Sequence, residues 1–262
     1  MRTTKNKANL VSSLITNDKG RIIRRQSLYT HYFFVTMAFV FIIIAVVGFG
    51  QSLHAIYHQK ITLNWIVHVH GALLTIWLLL FFTQALLAAM GNLKFHRRLG
   101  QFSVVLGVLV WISMGIVIFR AHIGFPLQAN ISWDNVLFLS SIMNLFGLFF
   151  VWGILQRKNA AVHKRLLFLA TLVLVSAGFN RVLLFAGIDP TIQWLHLFGV
   201  ANKSLLGIPH PSALLFYNDL LLIPLFIYDF FTIRGIHRIT LITSGVIIVM
   251  HITITMFWGL LP

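Results

Sequence analysis

Long apolar runs alternate along this chain with short polar segments that are mostly basic. Seven runs are long enough to cross the hydrocarbon core of a bilayer, which takes about 20 residues of helix. Their continuous apolar character, without a two-residue alternation, favours helices over the strands of an outer-membrane barrel. The sequence therefore predicts an all-α membrane protein, a single seven-helix transmembrane domain over residues 31–262. The predicted spans are 31–50, 64–90, 102–120, 135–156, 166–187, 212–232 and 240–260.

Composition agrees with this pattern. The 262 residues are 58% hydrophobic and 10% charged, whereas a soluble domain carries about 25% charged residues. Residues 1–30 are polar and basic, and the apolar run that follows is too long for a signal peptide, so it is expected to be a membrane anchor. The chain has no cysteine, which excludes disulfides, thiolate chemistry and cysteine-ligated metals.

The distribution of lysine and arginine predicts the orientation. Of the 20 such residues, sixteen fall in segment 1–30 or in the turns after the second, fourth and sixth predicted spans. Three (Lys60, Arg120 and Lys203) fall on the other side. Because basic loops stay in the cytoplasm, the N-terminus is expected inside and the C-terminus outside a bacterial inner membrane. The basic side is expected to meet anionic lipid headgroups, and no nucleic-acid partner is predicted.

Ionisable residues within membrane spans are rare and usually functional, and four of those in this chain come from four different predicted spans. Helix rise places them at similar depths in the outer half of the membrane. They are His70, Arg181, Asp219 and His251. We expect them to form one ligand- or cofactor-binding site, with a buried ion pair between Arg181 and Asp219. The alternative is that these groups only fix the packing of the helices.

A weaker second cluster is expected on the cytoplasmic side. The motif His96-Arg97-Arg98-Leu99 opens the third predicted helix, and His163-Lys164-Arg165-Leu166 opens the fifth. The repetition suggests two duplicated hairpins with a histidine at each turn, and Asp229 lies at the same level. These histidines are able to bind metal or haem, yet the alternative is stronger here: basic residues reach toward headgroups and Asp229 neutralises one of them.

No catalytic motif is visible. The sequence has no Gly-rich phosphate loop, no H-E-x-x-H and no G-x-S-x-G, so no catalytic residue and no metal-ligand set is predicted. An enzyme role is left undecided.

From residue 65 onward the chain resembles a family of uncharacterised bacterial multi-pass membrane proteins. The resemblance rests on His68-Val69-His70-Gly71, Trp77, His96-Arg97-Arg98-Leu99-Gly100, His163-Lys164-Arg165-Leu166, Asn218-Asp219-Leu220, and Tyr228-Asp229 followed by His237. It implies a compact helical bundle and carries no activity with it. More loosely, His70-Gly71 followed by Trp77 is similar to the histidine helix of cytochrome b561 and ferric-reductase-like proteins, which implies haem. This chain departs from them because His96 and His163 lie in turns, which leaves only His70 and His251 as an axial pair within the membrane.

Three functions are compatible with these residues. The first is a module that binds haem or another small ligand through His70 and His251. The second is a proton-coupled transporter, in which Asp219 and His70 exchange protons and Arg181 reads an anionic substrate. The third is an accessory protein that assembles another membrane complex, and a membrane enzyme acting on lipid or quinone remains a further option. Self-association or a membrane-complex partner is left open.

Overall fold

The computed structural model describes residues 32–50, 53–54, 57–58, 64–123, 133–186 and 218–257. This part of the chain is 91% helical and contains no strand, so the all-α prediction is confirmed. The helices are α1 (Tyr32–Gly50), α2 (Trp65–Ala89), α3 (Leu93–His122), α4 (Trp133–Leu155), α5 (Ala160–Phe185), α6 (Ile223–Ile233) and α7 (Arg238–Phe257).

Six of these helices, all but α6, are long and apolar enough to cross a membrane. The predicted sixth span, 212–232, is described only from Asn218 onward. There a helical turn at residues 218–220 leads through a turn at residues 221–222 into α6, which has Pro224 in its first turn and 11 residues in all. The basic segment 1–30 and residues 188–211, between the fifth and sixth predicted spans, lie outside the described residues.

Two helices begin earlier than predicted, because asparagine caps rather than apolar content set their first residues. The prediction started these helices at residues 102 and 166, whereas α3 begins at Leu93 and α5 at Ala160. The Asn92 side chain accepts a hydrogen bond from the Phe95 amide (3.2 Å), and the Asn159 side chain accepts one from the Val162 amide (3.4 Å). Such caps satisfy amides of the first turn that have no partner within the helix. The basic motifs of both hairpins are therefore helical, and the placement of His96 and His163 in turns was wrong.

The helices pack as two antiparallel hairpins, α2–α3 and α4–α5, which meet along α3 and α4. Helix α7 packs on α4 and α5. We call the end of the bundle with the turns at residues 90–92 and 156–159 the hairpin end. Trp77 of α2 is buried against the rings of Phe146 and Phe150, and its indole N–H donates to Thr171 Oγ of α5 (3.3 Å). This bond fixes the relative height of α2 and α5.

Helix α1 crosses α5 at a contact between two glycines. A Cβ atom on Gly48 would lie 2.2 Å from the carbonyl oxygen of Gly178, which is far closer than any side chain tolerates. The two backbones can therefore approach only without side chains at this point, as small residues allow between membrane helices.

Candidate functional site

The two ionisable groups that the fold brings together are Asp219 and His251. His251 lies on α7, and its Nδ1 is 2.8 Å from Oδ1 of Asp219, which stands in the turn before α6. Both side chains are largely buried, at 12% and 20% exposure. A carboxylate and an imidazole at this distance share a proton and orient each other.

A small cavity lies beside this pair, between α4, α5, α7 and the turn at Asn218. His251, Asn218 and Ser176 supply its polar lining, and apolar side chains supply the rest. It has room for about one water molecule. The site therefore accepts a proton carrier or a very small polar group without any rearrangement.

Three buried polar atoms around this region have no hydrogen-bond partner among the described residues. They are Asn218 Oδ1, which lines the cavity, Asn180 Oδ1 on α5 and Ser244 Oγ on α7. Asn218 is only 4% exposed. Most buried polar side-chain atoms are hydrogen-bonded, and an orphaned one marks a site for water, an ion or a ligand. The unsatisfied groups are acceptors or a hydroxyl, so they suit a ligand that donates hydrogen bonds.

The predicted pair between Arg181 and Asp219 is wrong. The Arg181 guanidinium donates instead to the carbonyl of Ala177, one turn earlier (3.0 Å), and lies 4.4 Å from the ring centre of Phe49. The helix carbonyl and the aromatic face satisfy the cation locally, while Asp219 is turned toward α7. Arg181 therefore has no carboxylate within ion-pair distance among the described residues.

His70 belongs to a different contact. Its Nδ1 is 2.9 Å from Ser113 Oγ on α3, and it does not line the cavity beside His251. The structure does not bring these two imidazoles together, because His70 faces Ser113 and His251 faces Asp219.

The second cluster lies at the hairpin end. It contains the charged group with the most complete set of hydrogen bonds among the described residues, the carboxylate of Asp229. Arg165 (2% exposed) forms an ion pair with Oδ1 of Asp229 (0% exposed) through both Nε and a terminal nitrogen. Oδ2 of Asp229 accepts from the His237 amide (3.0 Å) and from Thr240 Oγ (2.6 Å). Asp229 thus neutralises one basic residue of the repeated motif, as the structural alternative predicted, and ties α5, α6 and α7 together.

His237 supports the same cluster. Its Nδ1 accepts from the Ile239 amide (3.2 Å) at the start of α7. Burial lowers the pKa of His237, and the positive charge of Arg165 lowers it further against the opposing effect of Asp229. The neutral form is the one that can accept this bond, so the lowered pKa maintains the cap on α7.

The two motif histidines hold their hairpins in the same way. His96 Nδ1 is 3.2 Å from the carbonyl of Gln84 in α2, and His163 Nδ1 is 2.8 Å from the carbonyl of Gly153 in α4. Each histidine of a second helix therefore contacts the backbone of the first. Neither histidine contacts Asp229, whose carboxylate is occupied as described above.

Several partners carried no sequence signal that would have found them. Ser113, Thr171, Ser176 and Thr240 are single hydroxyl residues in apolar runs, and such residues usually bond their own helix carbonyls. Of the contacts in the site, only the one near Asn218-Asp219 and His251 had a signal in the sequence, because helix rise predicts similar membrane depths for these residues. Among the described residues, no group of three or more His, Cys, Asp or Glu is arranged to hold a metal ion.

Fold and site together define a multi-pass α-helical membrane protein with an acid–imidazole pair buried between its helices. Comparison with protein-family models, with curated proteins and with solved structures finds no match.

Proposed function

We propose that the chain is a proton-coupled transporter of a small anion in the bacterial cytoplasmic membrane, with seven spans, the N-terminus inside and the C-terminus outside. The observation that carries the proposal is the Asp219–His251 pair at 2.8 Å beside a cavity lined by the buried Asn218, whose Oδ1 has no hydrogen-bond partner among the described residues. An acid and an imidazole that face an internal cavity are the groups that membrane transporters use to exchange protons.

The seventh span is supported by the way the segment before α7 runs. Asp219 contacts His251, and Asp229 contacts Thr240. The segment therefore lies antiparallel to α7 over ten residues, or about 15 Å of helix. That is half of the hydrocarbon thickness, and the undescribed residues before Asn218 are apolar enough to supply more. Its last residues reach the hairpin end, where most of the basic turns lie.

The proton site is the pair itself. With the imidazole neutral, Nδ1–H donates to the Asp219 carboxylate; a second proton on Nε2 makes an imidazolium that the same carboxylate neutralises. Adding or removing that proton changes the net charge of the cavity lining by one. Asn218 Oδ1 is placed to accept a hydrogen bond from the water or ligand that carries it.

Arg181 is the candidate for the anion. It lies on α5 beside Asn180, whose Oδ1 is unpartnered, and about one turn beyond Ser176 of the cavity lining. A partly buried guanidinium without a carboxylate partner among the described residues attracts an anionic group. A substrate that supplies this charge would enter together with the proton that keeps the site neutral.

The test is proton uptake in proteoliposomes that enclose a pH-sensitive dye, with the membrane potential clamped by potassium and valinomycin. Inward gradients of lactate, phosphate or sulfate are applied in turn. We expect at least one anion to drive acidification of the interior. Asp219→Asn should abolish this acidification, and His251→Gln should slow it about tenfold or more, the range typical of a lost proton-transfer group.

His68→Gln is the matched control, because it removes an exposed imidazole of α2 and should leave uptake unchanged. If every anion gives the rate of protein-free liposomes, or if Asp219→Asn transports like the unmodified chain, the transporter proposal fails. The binding and assembly roles would then be preferred.

A further inference from the structure

The side chain of Gln84 points to a second site, at the hairpin end. Both of its polar atoms, Oε1 and Nε2, are buried and have no hydrogen-bond partner among the described residues. Gln84 lies against α3, since its Nε2 is 3.7 Å from the position of a Cβ on Gly100 and its carbonyl contacts His96. His96 and Gly100 are four residues apart and share one face of α3. An amide with neither donor nor acceptor satisfied is unusual in a buried position.

The Gln84 carbonyl sets the tautomer of the neutral His96 imidazole. Its Nδ1 lies 3.2 Å from the Gln84 carbonyl, and a carbonyl only accepts, so Nδ1 must carry the proton. The other nitrogen of the neutral ring, Nε2, then has a lone pair. None of the described residues hydrogen-bonds to that nitrogen.

His163 is held in the same form. Its Nδ1 lies 2.8 Å from the carbonyl of Gly153, which again places the proton on Nδ1 and leaves the lone pair on Nε2. An imidazole whose Nδ1–H donates to a backbone carbonyl has the arrangement found in most metal-ligating histidines.

The heights of α2 and α5 place His96, His163 and Gln84 at one level of the bundle. The bond between Trp77 and Thr171 fixes these antiparallel helices at one level. Gln84 on α2 lies seven residues from Trp77 toward the hairpin end, and Lys164 on α5 lies seven residues from Thr171 in the same direction. Each step is about 10 Å of helix rise. His163 is thus level with Gln84, whose backbone carbonyl contacts His96.

We propose that His96 and His163 bind a transition-metal ion of the Zn²⁺ or Cu²⁺ class through their Nε2 atoms, with Gln84 Oε1 as a third donor. Imidazole nitrogen is a preferred ligand of both ions, and oxygen donors complete such sites. The ion would satisfy the orphaned Gln84 oxygen, and water would fill the remaining positions. The site is separate from the Asp219–His251 cavity and does not depend on the transport proposal.

Zn²⁺ affinity is measured on detergent-purified protein by competition with a chromophoric chelator, using a purification tag without histidine. The background carries His54→Gln and His58→Gln, because those exposed rings, 4.1 Å apart, would also attract metal. We expect about one Zn²⁺ per chain. His96→Gln and His163→Gln should each weaken binding by about tenfold or more. Glutamine keeps an N–H donor for the backbone carbonyl, which protects the hairpin contact.

The Gln84→Leu variant distinguishes between two roles of the Gln84 side chain, a ligand of the metal ion or an amide that is only buried. A ligand role predicts weaker Zn²⁺ binding, whereas a packing role predicts unchanged affinity in a protein at least as stable. His68→Gln, which removes an exposed imidazole, should bind Zn²⁺ like the background. Unchanged affinity in both His96→Gln and His163→Gln, or no binding in the background chain, overturns the proposal.

A spectroscopic readout covers the case in which a histidine variant does not fold. Electron paramagnetic resonance of Cu²⁺ added to the background chain should show hyperfine splitting from two imidazole nitrogens. A spectrum of aqueous copper, or one with a single nitrogen ligand, overturns the two-histidine site without any change to its residues.

Discussion

Asp219 and Asp229 are two carboxylates within one helical bundle, and their surroundings set them apart. Asp229 accepts four hydrogen bonds, two of them from the buried Arg165, and has no exposed surface. Asp219 accepts one bond from His251 and stays partly exposed beside a cavity. A fully satisfied buried ion pair fixes structure, whereas a carboxylate with a single partner beside a cavity has acceptor capacity left for water or a ligand. This difference is why we place function at Asp219 and stability at Asp229.

Asp229→Asn should therefore be strongly destabilising. It leaves the Arg165 guanidinium buried without its counter-charge, and removing one partner of a buried ion pair costs about 3–5 kcal/mol. Replacing both partners, as Arg165→Met with Asp229→Leu, should restore part of the loss, because no uncompensated charge then remains. The free energy of unfolding is measured in mixed detergent and sodium dodecyl sulfate micelles, followed by tryptophan fluorescence.

Arg98→Met is the matched control. Arg98 occupies the position of Arg165 in the first copy of the repeated motif, yet it is exposed, so its loss should change stability by no more than about 0.5 kcal/mol. Equal effects of Asp229→Asn and Arg98→Met would show that the buried pair does not stabilise the fold.

The visible spectrum tests the separate partners of His70 and His251. Because the two imidazoles contact different partners, Ser113 and Asp219, protein purified from haem-replete cells should show no Soret band that depends on them. Haem absorbs at wavelengths of roughly 350–600 nm. His70→Ala and His251→Ala should leave the spectrum in that range unchanged. A Soret band lost in either variant would restore haem as a ligand.

At the scale of helices, apolar length predicted where helices occur, but it did not predict where α3 and α5 begin. Their first turns are polar, and the caps Asn92 and Asn159 start them nine and six residues earlier than predicted. Helix rise predicts one layer for His70, Arg181, Asp219 and His251, and within it Asp219 does contact His251. The predicted pairing of Asp219 with Arg181 was wrong, because the rotation of each helix sets which side chains face each other, and that rotation depends on packing that one sequence does not reveal.

The crossing of α1 and α5 gives a prediction for a whole helix. In Gly48→Ala the new Cβ would lie 2.2 Å from the Gly178 carbonyl oxygen, so α1 must move away from α5. Overpacking of this kind costs about 1–3 kcal/mol. The cost is measured as a loss in melting temperature of the detergent-solubilised protein.

Gly50→Ala is the control on the same helix, because a Cβ at Gly50 meets nothing within 4 Å. It should be neutral or slightly stabilising, since alanine has the higher helix propensity. If the two alanine variants have the same melting temperature, α1 does not pack on α5 at these glycines.

For the molecule as a whole, the open question is whether the chain crosses the membrane six or seven times. Six described helices are long enough to span, and with six crossings both termini would lie on one side. The two topologies differ in the segment from Asn218 to α6. It runs antiparallel to α7 from the level of His251 to that of Thr240, and a crossing here would place Arg234 and Arg238 on the side of the other basic turns. Basic turns gathered on one side also bring anionic lipid headgroups to that face.

Fusions to a phosphatase that is active only outside the cytoplasm distinguish the two topologies. Seven crossings predict activity after Pro262 and silence after Asn92, Lys158 and Gly235. If α6 does not cross the membrane, the six crossings predict the opposite result for two fusions. The fusion after Gly235 should then be active and the fusion after Pro262 silent. The fusions after Asn92 and Lys158 are silent in both cases and control for the orientation of the first four spans. Because sixteen Lys and Arg against three favour the first arrangement, we expect the fusion after Pro262 to be active, and an active fusion after Gly235 would reject the seventh span.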